Sequence, residues 1–219
     1  MIDVKNLSEF RANNRLIQLS PSTIKHQSFW PEGACVPYKG PWKNAYKELL
    51  WMVEFKGTRE EIERNKSKLF QDLLSAAALK DGPFEYHGTF ISEGVAEQYR
   101  GFEVVNYKGL VLHLGVQKSQ AISTTKTIIN EGTALSPVRL QLTGGPGNLT
   151  INGRGIGKLS PGTGGLIIDT MTGEIKTNAG ASGIHLAEII ELPKLQPGSN
   201  TINLTGGLAG TLTYWPVYL

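Results

Sequence analysis

A single cysteine, Cys35, leaves this 219-residue chain without an internal disulfide and without the thiolates of a zinc site. No stretch reaches the ~18 apolar residues of a membrane-spanning helix. The opening MIDVKNLSEF lacks the basic-then-apolar layout of a secretory signal. Folding in a reducing cytoplasm, with no membrane partner, is the expectation. An excess of one charge is missing too: 22 basic against 19 acidic side chains give a net charge of +3. Strong nucleic-acid binding needs a concentrated basic face. The densest cluster, Arg64, Lys66 and Lys68, cannot form one stripe, because alternate helical residues point about 200° apart. These side chains are expected on a solvated helix surface.

What is present suits a folded, turn-rich protein. At 40% hydrophobic the chain can bury a core, and its 26 glycines, without a collagen period, fit many turns between short strands. Composition shifts near residue 125. Residues 1–125 carry 16 basic, 14 acidic and 9 glycine residues, and residues 126–219 carry 6, 5 and 17. This shift predicts two domains, 1–125 and 126–219.

The first predicts a helix on a sheet. Thr58-Arg59-Glu60-Glu61 is a capping box, in which the threonine hydroxyl accepts from the third amide and Glu61 reaches back. Ile62, Leu69, Phe70, Leu73, Leu74 and Ala77 follow at helical spacing. Asp81-Gly82-Pro83 is read as the stop, giving roughly 22 helical residues. Leu49, Trp51, Val53 and Phe55 alternate before the helix, opposite Glu48 and Glu54. Three strands are expected after it, at 84–92, 95–106 and 110–116, with turns at Glu93-Gly94 and Lys108-Gly109. Pro21, Pro31, Pro37 and Pro41 around Trp30 and Trp42 predict an irregular arm over 20–42.

The second domain reads as seven or so short strands at about ten-residue intervals, the pattern of a β-sandwich. They are placed at 138–143, 148–152, 165–169, 174–177, 184–192, 201–204 and 211–219, with 153–164 as a loop. The fold class is therefore mainly β, an α+β domain followed by a sandwich.

No catalytic, cofactor-binding or metal-binding residue is assigned, and no enzyme activity or cofactor is expected. Gly153-Arg154-Gly155-Ile156-Gly157-Lys158 fails as a P-loop, with Asn152 in the first glycine position and Leu159 after the lysine. It fails as a dinucleotide fingerprint because Lys158 replaces the third glycine. Gly180-Ala181-Ser182-Gly183-Ile184 lacks the last glycine of a nucleophile elbow. His26, His87, His113 and His185 have no partners at metal-ligand spacing. Glu60, Glu61 and Glu63 lie in a first helical turn, where negative charge offsets exposed amides. Among the tryptophans, Trp51 is expected in the core and Trp30 and Trp42 in the arm or at an interface. Trp215, between Tyr214 and Pro216, leaves a sugar-stacking role open.

The segment 48–55, the Gly57-Thr58-Arg59-Glu60-Glu61 stretch and its helix resemble the N-terminal domain of siphophage distal tail (Dit) proteins. Glu131-Gly132-Thr133-Ala134, the turn Ile168-Asp169-Thr170-Met171-Thr172-Gly173-Glu174-Ile175 and Leu195-Gln196-Pro197-Gly198-Ser199-Asn200-Thr201-Ile202 resemble that family's galectin-like sandwich. The resemblance spans residues 45–219, whereas 1–41 matches poorly. It implies a structural virion protein, synthesised in the host bacterial cytoplasm and placed at the tail tip or baseplate of a phage or phage-tail-like particle. It further implies a homohexameric ring between a tail tube protein and a tail-associated hub protein, with DNA passing through its channel unbound. The alternatives are a carbohydrate-binding sandwich module or another tail-tube or baseplate subunit.

Overall fold

The computed structural model describes residues 1–21, 28–29, 38–39, 46–76 and 78–219. They form two units, Met1–Leu114 with Leu219, and Gly115–Tyr218.

The first unit is a six-stranded sheet backed by one helix. The sheet strands are β1 (Ile2–Asp3), β2 (Ala12–Leu19), β5 (Lys47–Lys56), β6 (Ala78–Asp81), β7 (Phe84–Tyr99) and β8 (Phe102–Leu114), and they lie in the order β1-β6-β7-β8-β5-β2. Between β2 and β5, β3 (Ser28–Phe29) pairs with β4 (Tyr38–Lys39). Residues 22–27, 30–37 and 40–42 of the predicted arm, with Cys35, His26, Trp30 and Trp42, lie outside the described residues. Helix α1 (Arg59–Ala76) lays Ile62, Leu69 and Leu73 on Leu49, Trp51, Val53 and Phe55 of β5 and on Val105, Tyr107 and Val111 of β8. The Trp51 and Tyr107 ring centroids are 5.6 Å apart, and the buried Trp51 indole donates to Asn14 Oδ1 at 3.1 Å. Aromatic payload is thus concentrated on the helix side of the sheet, where it contributes most to burial.

Several expectations change here. The helix stops at Ala76, not at Asp81, and residues 78–81 form β6, which pairs with β7 and buries Ala78 and Leu79. Gly82 (φ +59°) is the turn of that hairpin. Leu74 lies exposed, one residue's rotation away from Leu73. The three strands expected after the helix are two long ones. Their turn is Arg100-Gly101, where Gly101 has φ +90°. Gly94 sits in a β-bulge rather than a turn. Gly109 lies within β8 under the Phe90 ring, which a Cβ there would meet at 2.7 Å.

The second unit is a pair of sheets. One orders β10 (Thr125–Asn130), β18 (Gly198–Leu204), β12 (Gly147–Ile151), β13 (Arg154–Leu159) and β16 (Ala187–Ile189) as β10-β18-β12-β13-β16. The other orders β15 (Glu174–Lys176), β14 (Gly162–Asp169), β11 (Ser136–Gly144), β19 (Ala209–Tyr214) and β9 (Lys118–Ile122) as β15-β14-β11-β19-β9, with β17 (Lys194–Leu195) pairing β11 off that path. Val138, Leu140 and Leu142 of β11, Leu149 and Ile151 of β12, and Ile202 and Leu204 of β18 fill the core between them. Their alternation with outward polar residues is the period of two that a sandwich requires.

Of the stretch 153–164, expected as loop, 154–159 form β13 and 162–164 open β14. Asn152 (φ +55°) and Gly153 (φ +76°) make the tight turn that folds β13 onto β12, burying Ile156 and Leu159. Asn-Gly is a strong hairpin signal, carried by the sequence itself. The boundary also lies earlier than 125: β9 pairs with β19, so residues 115–125 belong to the second unit.

Candidate assembly surfaces

The helix entrance is built by three residues. Thr58 Oγ1 accepts from the Glu61 amide at 3.3 Å, and Glu61 Oε2 accepts from the Thr58 amide at 2.9 Å. Arg11 adds an ion pair to Glu61 at 2.5 Å. The Thr58 amide bond, ahead of the Arg11 charge, holds the Glu61 carboxyl below its ordinary range. The Gly57 amide donates to the Gly101 carbonyl at 3.1 Å, tying the β7–β8 turn to the start of α1. Between them lies a cleft lined by Arg59, Ile62, Tyr99, Arg100, Phe102 and Glu103. Tyr99 stacks on Phe102, with centroids 4.7 Å apart.

β6 pairs with β7 only as far as His87. From Gly88 to Tyr99 the outer edge of β7 has no neighbouring strand among the described residues, and Ile91 (59% exposed), Val95 (48%) and Tyr99 (56%) stand along it. β2 ends the other side of the sheet, again unpaired outwardly among the described residues, with Leu16 exposed. Two open edges with apolar side chains are templates for pairing with another chain.

The buried carboxylates of this unit, Glu54 and Glu103, are paired. Glu54 of β5 is buried against Arg15 of β2 and Lys56, the latter at 3.0 Å. Burial works to raise its pKa, but the bonds from Lys56 and Arg15 outweigh it and hold the carboxyl below the usual range. Glu103, also buried, meets Lys66 at 2.5 Å, and Lys66 reaches Glu63 at 2.8 Å. His113 is pushed down to about 4 by burial and by Lys47, whose Nζ is 3.4 Å from its Nδ1.

In the second unit the buried asparagines explain the motifs singled out in the sequence. Asn130 Oδ1 accepts from the Gly132 amide at 3.0 Å and from Ser136 Oγ at 3.1 Å, while its amide donates to the Gln196 carbonyl at 3.1 Å. Asn200 closes the Pro197-Gly198 turn, accepting from the Gln196 amide at 2.9 Å and donating to the Gln196 carbonyl at 2.8 Å. Asn152 joins it at 3.1 Å. Asp169 caps its own turn through the Met171 amide at 2.9 Å. These side chains satisfy buried backbone groups that would otherwise be costly.

The structure places the rejected motifs in ordinary roles. Lys158 lies on β13 opposite Glu188. Ser182 bridges Lys176 in a tight loop where the Thr177 amide bonds the Ala181 carbonyl at 2.8 Å, so no strand-to-helix elbow forms. Trp215 is half-buried just beyond β19. No group of three or more His, Cys, Asp or Glu side chains able to hold a metal occurs among the described residues.

This helix-backed sheet, followed in the chain by a two-sheet sandwich, is a fold shared with solved phage proteins. The chain aligns with the Dit protein (gp 19.1) of phage SPP1, described as a paradigm of hub adsorption apparatus in phages infecting Gram-positive bacteria, over 98% of its own length and 96% of that chain, with a TM-score of 0.66 and 15% identity. Two structures of the phage p2 baseplate in its activated conformation, with Sr and with Ca, align over 95% of this chain and 92% of theirs, at 10% and 9% identity and TM-scores of 0.46 and 0.48. No protein-family model and no curated protein matches the sequence.

Proposed function

We propose that this chain is a structural, non-enzymatic subunit of a phage tail tip or baseplate, closing with five other copies into a ring. The ring joins a tail tube protein to a tail-associated hub protein, and DNA passes its channel without specific binding. The observation that carries this reading is the pair of open sheet edges in the first unit, β7 on one side and β2 on the other, in a fold shared with SPP1 Dit. A contact between two different edges of one chain is heterologous, and such contacts close into rings when the rotation allows. The second unit, read as a galectin-like sandwich, completes the subunit. Its site of action is the virion tail tip, or the tip of a phage-tail-like particle, after synthesis in the host bacterial cytoplasm.

Light scattering on the purified chain tests the reading. A mass near six times the 23.9 kDa chain is expected. A single-chain mass at tens of micromolar, persisting when tail tube and hub proteins are added, would overturn it.

A further inference from the structure

Two arginines flank the helix entrance, Arg59 on α1 and Arg100 in the β7–β8 turn. Arg59 and Arg100 line the cleft at the start of α1, and neither forms an ion pair among the described residues. The nearby carboxylates are already engaged, Glu61 with Thr58 and Arg11, Glu103 with Lys66. Arg59 is also the first residue of α1, where a cation opposes the helix dipole. Its charge therefore works against the helix, and the capping box leaves the helix amides with no need of an external anion.

Strand direction indicates what would meet this cleft. β7, β8, β5 and β2 are antiparallel in turn, so β7 and β2 run in opposite senses within one copy. Rotation about a ring axis preserves those senses. When β7 of one copy meets β2 of the next, the pairing is antiparallel, and the Tyr99 end of β7 comes beside the Ala12 end of β2. Just before Ala12 is the short turn Ser8–Phe10, held against α1 by buried Phe10, with Lys68 Nζ 5.1 Å over its ring. Glu9 stands out from that turn with its side chain 61% exposed, 3.2 Å from a half-exposed Lys68. Exposed pairs of this kind are weak and readily exchanged.

We propose that the Arg59–Arg100 cleft receives the Ser8–Phe10 turn of a second copy, with the Glu9 carboxylate between the two guanidiniums. The inference rests on the ring reading and names the contact that would fix its register. Sedimentation velocity of the full chain tests it with three variants: Arg59→Glu/Arg100→Glu, Glu9→Arg, and all three changes together. Each charge reversal should raise the concentration for half-assembly at least about tenfold, and the combined variant should return to within about threefold of wild type. The Arg59→Glu change should leave the melting temperature of the dissociated chain equal or higher, since it removes a cation from the helix start. Unchanged assembly in either reversed variant, or no recovery in the combined one, overturns the contact while leaving the ring. A wild-type chain that never associates overturns the ring, and this contact with it.

Discussion

Glu61 reaches back 2.9 Å to the Thr58 amide, and Gly57 is the residue that gives its side chain room. Gly57 has φ +140°, and a Cβ there would lie 2.7 Å from Glu61 Oε2. The Gly57→Ala variant should therefore lose both backbone ease and the cap, at about 1–2 kcal/mol. Urea unfolding followed by circular dichroism checks this, and an unchanged midpoint would show that the box contributes nothing.

The edge of β7 should control association without supporting the fold. Ile91→Lys with Val95→Lys places charge on exposed positions of an unpaired strand. Association in light scattering should disappear while unfolding free energy stays within about 0.5 kcal/mol. Retained association would remove β7 from the interface.

Acid should weaken the first unit in two stages. His113, held near 4, binds fewer protons folded than unfolded, so its contribution is complete above the unfolded value of about 6.5 and declines as pH falls towards 4. Glu54, with a depressed carboxyl, contributes above about 4.3 and loses that contribution as pH falls through its lower folded value. Denaturant titrations across this range should show the upper stage flattened in His113→Phe and the lower one in Glu54→Gln. At neutral pH Glu54→Gln should cost about 1–2 kcal/mol, less than a fully buried pair, because Arg15 and Lys56 are more than half exposed.

Asn200→Ala should destabilise the second unit by about 2–3 kcal/mol, since it strips partners from the Gln196 amide and carbonyl and from Asn152. Hydrogen exchange should accelerate in β12 and β18 and stay unchanged in β5 and β8. Equal acceleration in both units would show that they unfold as one.

Local signals in the chain were sufficient wherever one segment settles its own structure. The capping box, the alternation along β5 and the Pro197-Gly198 turn each depend on residues a few positions apart, and each formed as its side chains dictate. Tertiary pairing decided the rest. Residues 78–81 have no helix-breaking residue before Gly82, yet they become strand because β7 and β1 offer hydrogen bonds on both sides and a core for Leu79. Gly109 looks like a turn until Phe90 of the adjacent strand covers it. The open edges at β7 and β2, and the meeting of Arg59 with Arg100 across 40 intervening residues, exist only once the sheet has its strand order. Period and propensity act over neighbours, whereas which edge is left unpaired is set by long-range partners that no local window contains.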